Sequence, residues 1–156
     1  MLLPPVDALH IQYDPVRSLM RFQWLDAMNL RLRPALVYGR DTVVHHKPAH
    51  VLVDFRGLPQ LSVQDELWMS VHWLPAIAAQ PIRQVALVYE SVGRLHNEMA
   101  AEALLWVCRH LIGFQIQVFD DVPAALHWLA GSDAAVDELQ AEWAASLDAV
   151  GKRGTH

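Results

Sequence analysis

The sequence predicts an α/β fold: a mixed, mostly parallel sheet of about five strands with flanking helices, entered through an N-terminal β-hairpin. Three observations predict it. "LHIQY" and "SLMRFQWL" alternate apolar and polar residues on either side of the turn "DPVR", the period of half-buried antiparallel strands. "HVLVDF" and "QVALVY" are short unbroken apolar runs, as in strands covered on both faces. Segments of helical period separate these strands, which favours parallel pairing through right-handed crossovers.

Each element follows in order. In the hairpin, Asp14 and Pro15 are turn residues. Its second strand puts Met20, Phe22 and Trp24 on one face and Leu19, Arg21 and Gln23 on the other. "NLRLRPALVYGRDTVVHHK" reads as a helix with Asn29 as N-cap and a buried stripe of Leu32, Leu36, Gly39 and Val43. Pro34 fits only near its start, since deeper it would remove a backbone donor. After "HVLVDF", "SVQDELWMSVHWLPAIAAQ" is helical and bent or restarted at Pro75. "QVALVY" is the next central strand, and "VGRLHNEMAAEALLWVCRHLI" a third helix stopped by Gly113. "FQIQVF" alternates, which suits an edge or one-sided strand. "DVPAALHWLAG" is a short helix capped by Asp121 and ended by Gly131.

These elements make one domain over residues 1–131. Residues 132–150 add an amphipathic helix with Val136, Leu139, Trp143, Leu147 and Val150 along one stripe and Asp137, Glu138, Glu142 and Asp148 opposite. That stripe either packs back on its own sheet or binds another chain, including a second copy in a homodimer. Residues 151–156 are expected to be a disordered tail.

The totals narrow the function classes. At 156 residues with 53% hydrophobic and 19% charged residues, the chain can bury a core without metal or disulfide help. A net charge of −5 argues against nucleic-acid binding, which needs a clustered basic face. No apolar run reaches the roughly 20 residues of a membrane span. A single cysteine, Cys108, and a start without a basic segment and long apolar run make a cytoplasmic protein the expectation.

The order of elements, with "VLVDFRGL" and the ending "IQVFDDVPAALHWL", resembles the STAS/SpoIIAA-like superfamily, in its divergent bacterial branch of short STAS-like proteins. The likeness runs from about Leu9 to Gly131 and rests on Asp54 at a strand end and on the later Ala125, Trp128 and Leu129. It implies a regulatory module working through protein contacts. Sporulation-type members carry a phosphorylatable serine in a "D-S-x-G" motif at the start of the following helix. Aligning Asp54 with the family's strand-end aspartate puts Ser62 at the motif's aspartate and Val63 at its serine, with no glycine after. The phospho-switch is therefore not inherited. Ser62 with Asp65 instead has the S-x-x-[DE] spacing of a helix N-cap.

Candidate sites are four. The loop and helix start at Arg56, Leu58, Gln60 and Ser62, with the tail residues Val136, Leu139, Trp143 and Leu147, form a candidate interaction surface for a protein partner. Asp54, Arg56 and Glu90 stand at strand ends, where open α/β sheets bind ligands, and form a candidate polar cluster; a structural Asp54–Arg56 pairing is the plainer reading. Trp68, Met69, Trp73, Met99 and Trp106 are a candidate wall for a small apolar ligand, against the plain reading that they are core. The comparable sheet of CRAL-TRIO lipid-transfer domains, to which the chain is similar, implies such a carrier. His45, His46 and His50 are the fourth, but Lys47 and Pro48 interrupt them and no carboxylate partner lies nearby; a solvated loop is expected, with no metal.

No cofactor motif or catalytic residue set is present: G-x-S-x-G, Walker and G-x-G-x-x-G patterns are all missing. The expectation is a non-enzymatic STAS-like interaction module. The alternative is a carrier or sensor of a small apolar molecule, and an enzyme would require a polar cleft around Asp54, Arg56 and Glu90.

Overall fold

In a computed structural model, residues 1–6, 8–25, 32–58, 61–89, 110 and 113–153 are described. Six strands form one mixed sheet: β1 (Leu2–Val6), β2 (Leu9–Asp14), β3 (Leu19–Trp24), β4 (His50–Asp54), β5 (Gln84–Val88) and β6 (Gln115–Phe119). They lie in chain order across the sheet. β1, β2 and β3 pair antiparallel, and β3 to β6 pair parallel. The sheet thus has one strand more than expected. "LLPPV" is β1, which its two prolines argue against in a central strand but allow at an edge. The register there slips between Leu3 and Val6, across those prolines.

The helices are α1 (Leu32–His46), α2 (Val63–Trp68), a π-helical turn (Met69–Trp73), α3 (Leu74–Ala78), α4 (Val122–Ala130) and α5 (Asp133–Arg153). Asn29, the expected cap of α1, and the expected third helix, with Cys108, lie outside the described residues. Pro34 falls in the first turn of α1, where its missing N–H has no helical acceptor to lose. At the end of α4, Gly131 takes φ +81° and donates its N–H to the His127 carbonyl, ending the helix as expected.

Strand alternation sorts the core into two layers. Ile11, Met20, Phe22, Trp24, Val51, Val85 and Leu87 face α1 and the α2–α3 segment. Leu19, Leu52, Ala86 and Val88 face α4 and α5. The split of β3 into its two expected residue sets is observed. Helices α1 and α2–α3 share a face because each follows a parallel strand and returns to the next, and crossovers of one hand must use one side.

Helix α5 answers the question left open by its stripe. It packs on its own sheet, over β2 and β3. Gln12 on β2 donates to the Leu139 carbonyl at 2.9 Å and to Glu142 Oε1 at 2.9 Å. Arg21 on β3 lies 3.9 Å from the centre of the Trp143 ring and donates to Gln140 Oε1 at 2.8 Å. Arg17 pairs with both Asp14 and Glu138. The helix runs on to Arg153, so residues 151–153 are helical and not tail. Among the described residues, no helix is long and apolar enough to cross a membrane.

Candidate functional site

The carboxyl ends of the parallel strands are where an open α/β sheet offers a crevice. Here β4 ends in Asp54, with Phe55 next in the chain. The Asp54 side chain is fully buried and holds Arg56 by a fork: Nε to Oδ1 at 2.9 Å and Nη2 to Oδ2 at 2.7 Å. Its Oδ1 also accepts the backbone N–H of Arg56 at 3.0 Å. An aspartate accepting from the residue two further on is a turn former, and Asp54 does that here. This is the structural pairing that the sequence offered as the plainer reading. Glu90, the third member of that cluster, lies outside the described residues.

The turn then folds inward. Leu58 N–H donates to the Phe55 carbonyl at 3.1 Å, and Gly57 crosses the end of β3 so closely that a Cβ there would lie 2.0 Å from the Trp24 carbonyl oxygen. Leu58 and Leu61 are buried beneath this turn, so Leu58 belongs to the core and not to an exposed interaction surface. Gln60 lies outside the described residues. Ser62 is exposed and accepts the Asp65 N–H at 3.1 Å as the N-cap of α2, the role its spacing predicts. Of the tail residues expected on that surface, Val136, Leu139 and Trp143 are buried against the sheet and Leu147 is half-buried. The cause is simple: β2 and β3 present Gln12, Arg21 and apolar neighbours on a face that needs cover, and the stripe supplies it.

On the other face, the strand ends carry an aromatic row. Trp24 stacks on Phe55 with ring centres 6.1 Å apart, and Phe55 on Tyr89 at 5.2 Å. Beside this row, between the sheet, α1 and the α2–α3 segment, lies a cavity of about 110 Å³. The described residues on its wall are all apolar or aromatic; Phe22, Phe55, Leu36, Met69, Trp73 and Ile77 mark its sides. Met69 and Trp73, named from sequence as pocket residues, are on the wall. Trp68 is half-buried at the edge of the same core, under the Arg33 guanidinium at 5.6 Å. Met99 and Trp106 lie outside the described residues.

The roof of the cavity has an unusual build. The Leu74 N–H bonds to the Met69 carbonyl, one residue further than in an α-helix, immediately before Pro75. Such single π-helical turns recur at functional sites. Trp73 ties this roof to α1 by donating its indole N–H to the Leu36 carbonyl at 2.8 Å. The indole N–H of Trp24, on the opposite wall, is buried and has no acceptor among the described residues. The outer side of the same roof carries Val63, Leu67 and Val71, 75%, 65% and 57% exposed at four-residue spacing.

The histidines do not assemble. His45 and His46 end α1 rather than lying in a loop, Lys47 turns with φ +53°, and His50 opens β4. The His46 ring lies 4.5 Å from Tyr13. Its pKa is lowered by burial, with His45 adding to the effect. Among the described residues no group of three His, Cys, Asp or Glu could hold a metal ion.

Compared with known proteins, the chain matches no family model, no curated protein and no solved structure.

Proposed function

We propose that this chain is a ligand-binding module that holds a small apolar molecule between its sheet and the α1/α2–α3 layer. The observation that carries the reading is the cavity of about 110 Å³ whose apolar wall runs along one face of the parallel strands, under α1 and the α2–α3 segment. Volume sets the ligand's size. An apolar cavity of roughly 150 Å³ takes up benzene, so the present space suits a ring of that size or less, and a longer ligand would have to lift the roof. Wall chemistry sets its type: among the described residues no charged side chain is there to meet a carboxylate or phosphate, which favours a neutral, apolar molecule. The STAS-like resemblance is compatible with a binding role and supplies no ligand.

Native and denaturing mass spectrometry of the full untagged chain test it, together with thermal unfolding in the presence of benzene and of cyclopentanone. A stoichiometric compound lost on denaturation, or a rise in Tm with either probe, is expected. A clean mass together with an unmoved Tm removes the reading.

A second reading is favoured by the exposed stripe of Val63, Leu67 and Val71: a protein-interaction module whose contact is the outer face of α2 and the π-helical turn. Leu67→Lys would then abolish capture of a protein partner and leave probe uptake unchanged. Equal capture by both forms counts against it.

A further inference from the structure

The two edges of the sheet are built differently. At one edge, β1 carries Pro4 and Pro5 and an irregular register, which leaves little for another strand to pair with. At the other edge, β6 reads "QIQVF", with no proline, no charge and an even register against β5. Gln115, Gln117 and Val118 are exposed, Val118 by half.

The ladder fixes which backbone groups of β6 are used. Gln115 N–H donates to the Arg83 carbonyl at 2.9 Å, and Phe119 C=O accepts from Tyr89 N–H at 3.1 Å. In a parallel ladder the residues pointing inward alternate, so Gln115, Gln117 and Phe119 bond to β5. The N–H and C=O groups of Ile116 and Val118 then point outward, where no described residue pairs with them.

From this edge we infer that the chain self-associates by antiparallel pairing of β6 with β6 of a second copy, about a two-fold axis at Gln117. The register is self-complementary. With Gln117 opposite Gln117, Ile116 of each copy stands opposite Val118 of the other, and each such pair exchanges two main-chain hydrogen bonds. The half-exposed Val118 side chain meets Ile116 across the seam, an apolar cross-strand pair. Gln117 meets Gln117 on the other face, where the amides can bond to each other. No like charges are opposed within the seam, because the strand has none. Symmetry is what favours a second copy over a foreign peptide: the outward groups and the apolar pair match their own two-fold image without any further requirement. A seam of five residues is about 17 Å long and below the size of an obligate interface, so association should be reversible and concentration-dependent.

The inference concerns the sheet edge alone and does not depend on the cavity. Sedimentation velocity of the full chain from about 1 to about 300 µM should show conversion from monomer to dimer. Val118→Pro removes an outward N–H, which an edge strand tolerates, and should stay monomeric with an unchanged circular dichroism spectrum. Should that variant fail to fold, Val118→Lys keeps the backbone donor and places a charge opposite Ile116, with the same expected loss of dimer. In a Cys108→Ser background, Gln117→Cys should oxidise to a covalent dimer, since directly opposed residues of this kind have Cα atoms about 4.5 Å apart; Gln115→Cys should not. A monomer at every concentration, a dimer that survives both Val118 variants, or cross-linking at residue 115 in preference to 117 would each overturn the inference.

Discussion

Gly39→Ala separates the fold from the cavity reading in one substitution. Gly39 lies in the interior of α1 and on the cavity wall. A Cβ placed there would lie 3.5 Å from Leu9 Cδ2, 3.5 Å from Phe22 Cε1 and 3.8 Å from Phe22 Cδ1, all ordinary van der Waals distances. Two effects then favour the variant. Alanine is preferred over glycine in a helix interior by about 0.8–1 kcal/mol, and a methyl buried against apolar neighbours adds up to about 0.8 kcal/mol. The free chain should therefore gain between about 1 and 2 kcal/mol, read as a higher urea midpoint at unchanged slope. For a chain of this length that is a rise in Tm of roughly 2–8 °C. The same methyl narrows the cavity, so the benzene-induced rise in Tm should shrink or vanish. A variant less stable than wild type would refute the placement of Gly39 against Leu9 and Phe22. One that is more stable yet responds to benzene as before would leave the fold intact and remove the cavity as the ligand site.

The remaining predictions concern the groups around the site and under α5. Gly57→Ala should cost about 2–4 kcal/mol in urea unfolding, because its Cβ would strike the Trp24 carbonyl and the turn held by Asp54 would have to move; a neutral result would refute that close approach. Ser62→Ala should cost about 1 kcal/mol by removing the acceptor for Asp65 N–H, and an unchanged urea midpoint would show the cap to be idle. Asp14 is pushed up by burial, but its hydrogen bonds and charge pairing with Arg17 outweigh this and lower its pKa below 3.8. A lowered carboxylate stabilises the fold above that value and loses the contribution as pH falls through the folded pKa. The urea midpoint of wild type should hence fall more steeply than that of Asp14→Asn below pH 4 or so, and parallel profiles would refute the linkage.

How much of this could be read from the sequence depended on whether the deciding interaction was local. Ser62 with Asp65, Asp121 with Ala124 and Gly131 with His127 are contacts within three or four residues of chain, and each cap forms as the sequence predicts. The two faces of β3 follow from strand period alone. β1 was hidden because proline normally excludes a strand, and only its edge position, with a bulge at Pro4–Pro5, makes room for it. The π-helical turn left no mark beyond Pro75. Its register shift, with Met69 and Trp73 on the cavity wall, is a matter of packing against Leu36 more than 30 residues away. The cavity is a gap between well-chosen apolar residues, and a hydrophobic pattern looks the same whether such residues meet or fall short of meeting.

The fate of the tail stripe turned on Arg21, and Arg21 also gives the sharpest electrostatic prediction. Burial lowers its pKa to about 10; Asp54 opposes that shift, and Arg56 adds to it. A base whose folded pKa is depressed carries its penalty at every pH below that value, and the penalty is relieved as pH rises above about 10 toward the ordinary arginine value. The depression corresponds to a cost on the order of 3 kcal/mol at neutral pH. Against it stand the Trp143 ring at 3.9 Å and the bonds to Gln140 and Gln23. Methionine keeps most of the volume and still contacts an aromatic ring, so Arg21→Met should be as stable as wild type at pH 7, or more stable by about 1–2 kcal/mol. Its stability should also lack the upturn above pH 10. A loss of more than about 2 kcal/mol at pH 7 would mean that the arginine's contacts outweigh its desolvation, and that α5 is held to the sheet by polar pairing more than by the apolar stripe that its sequence displays.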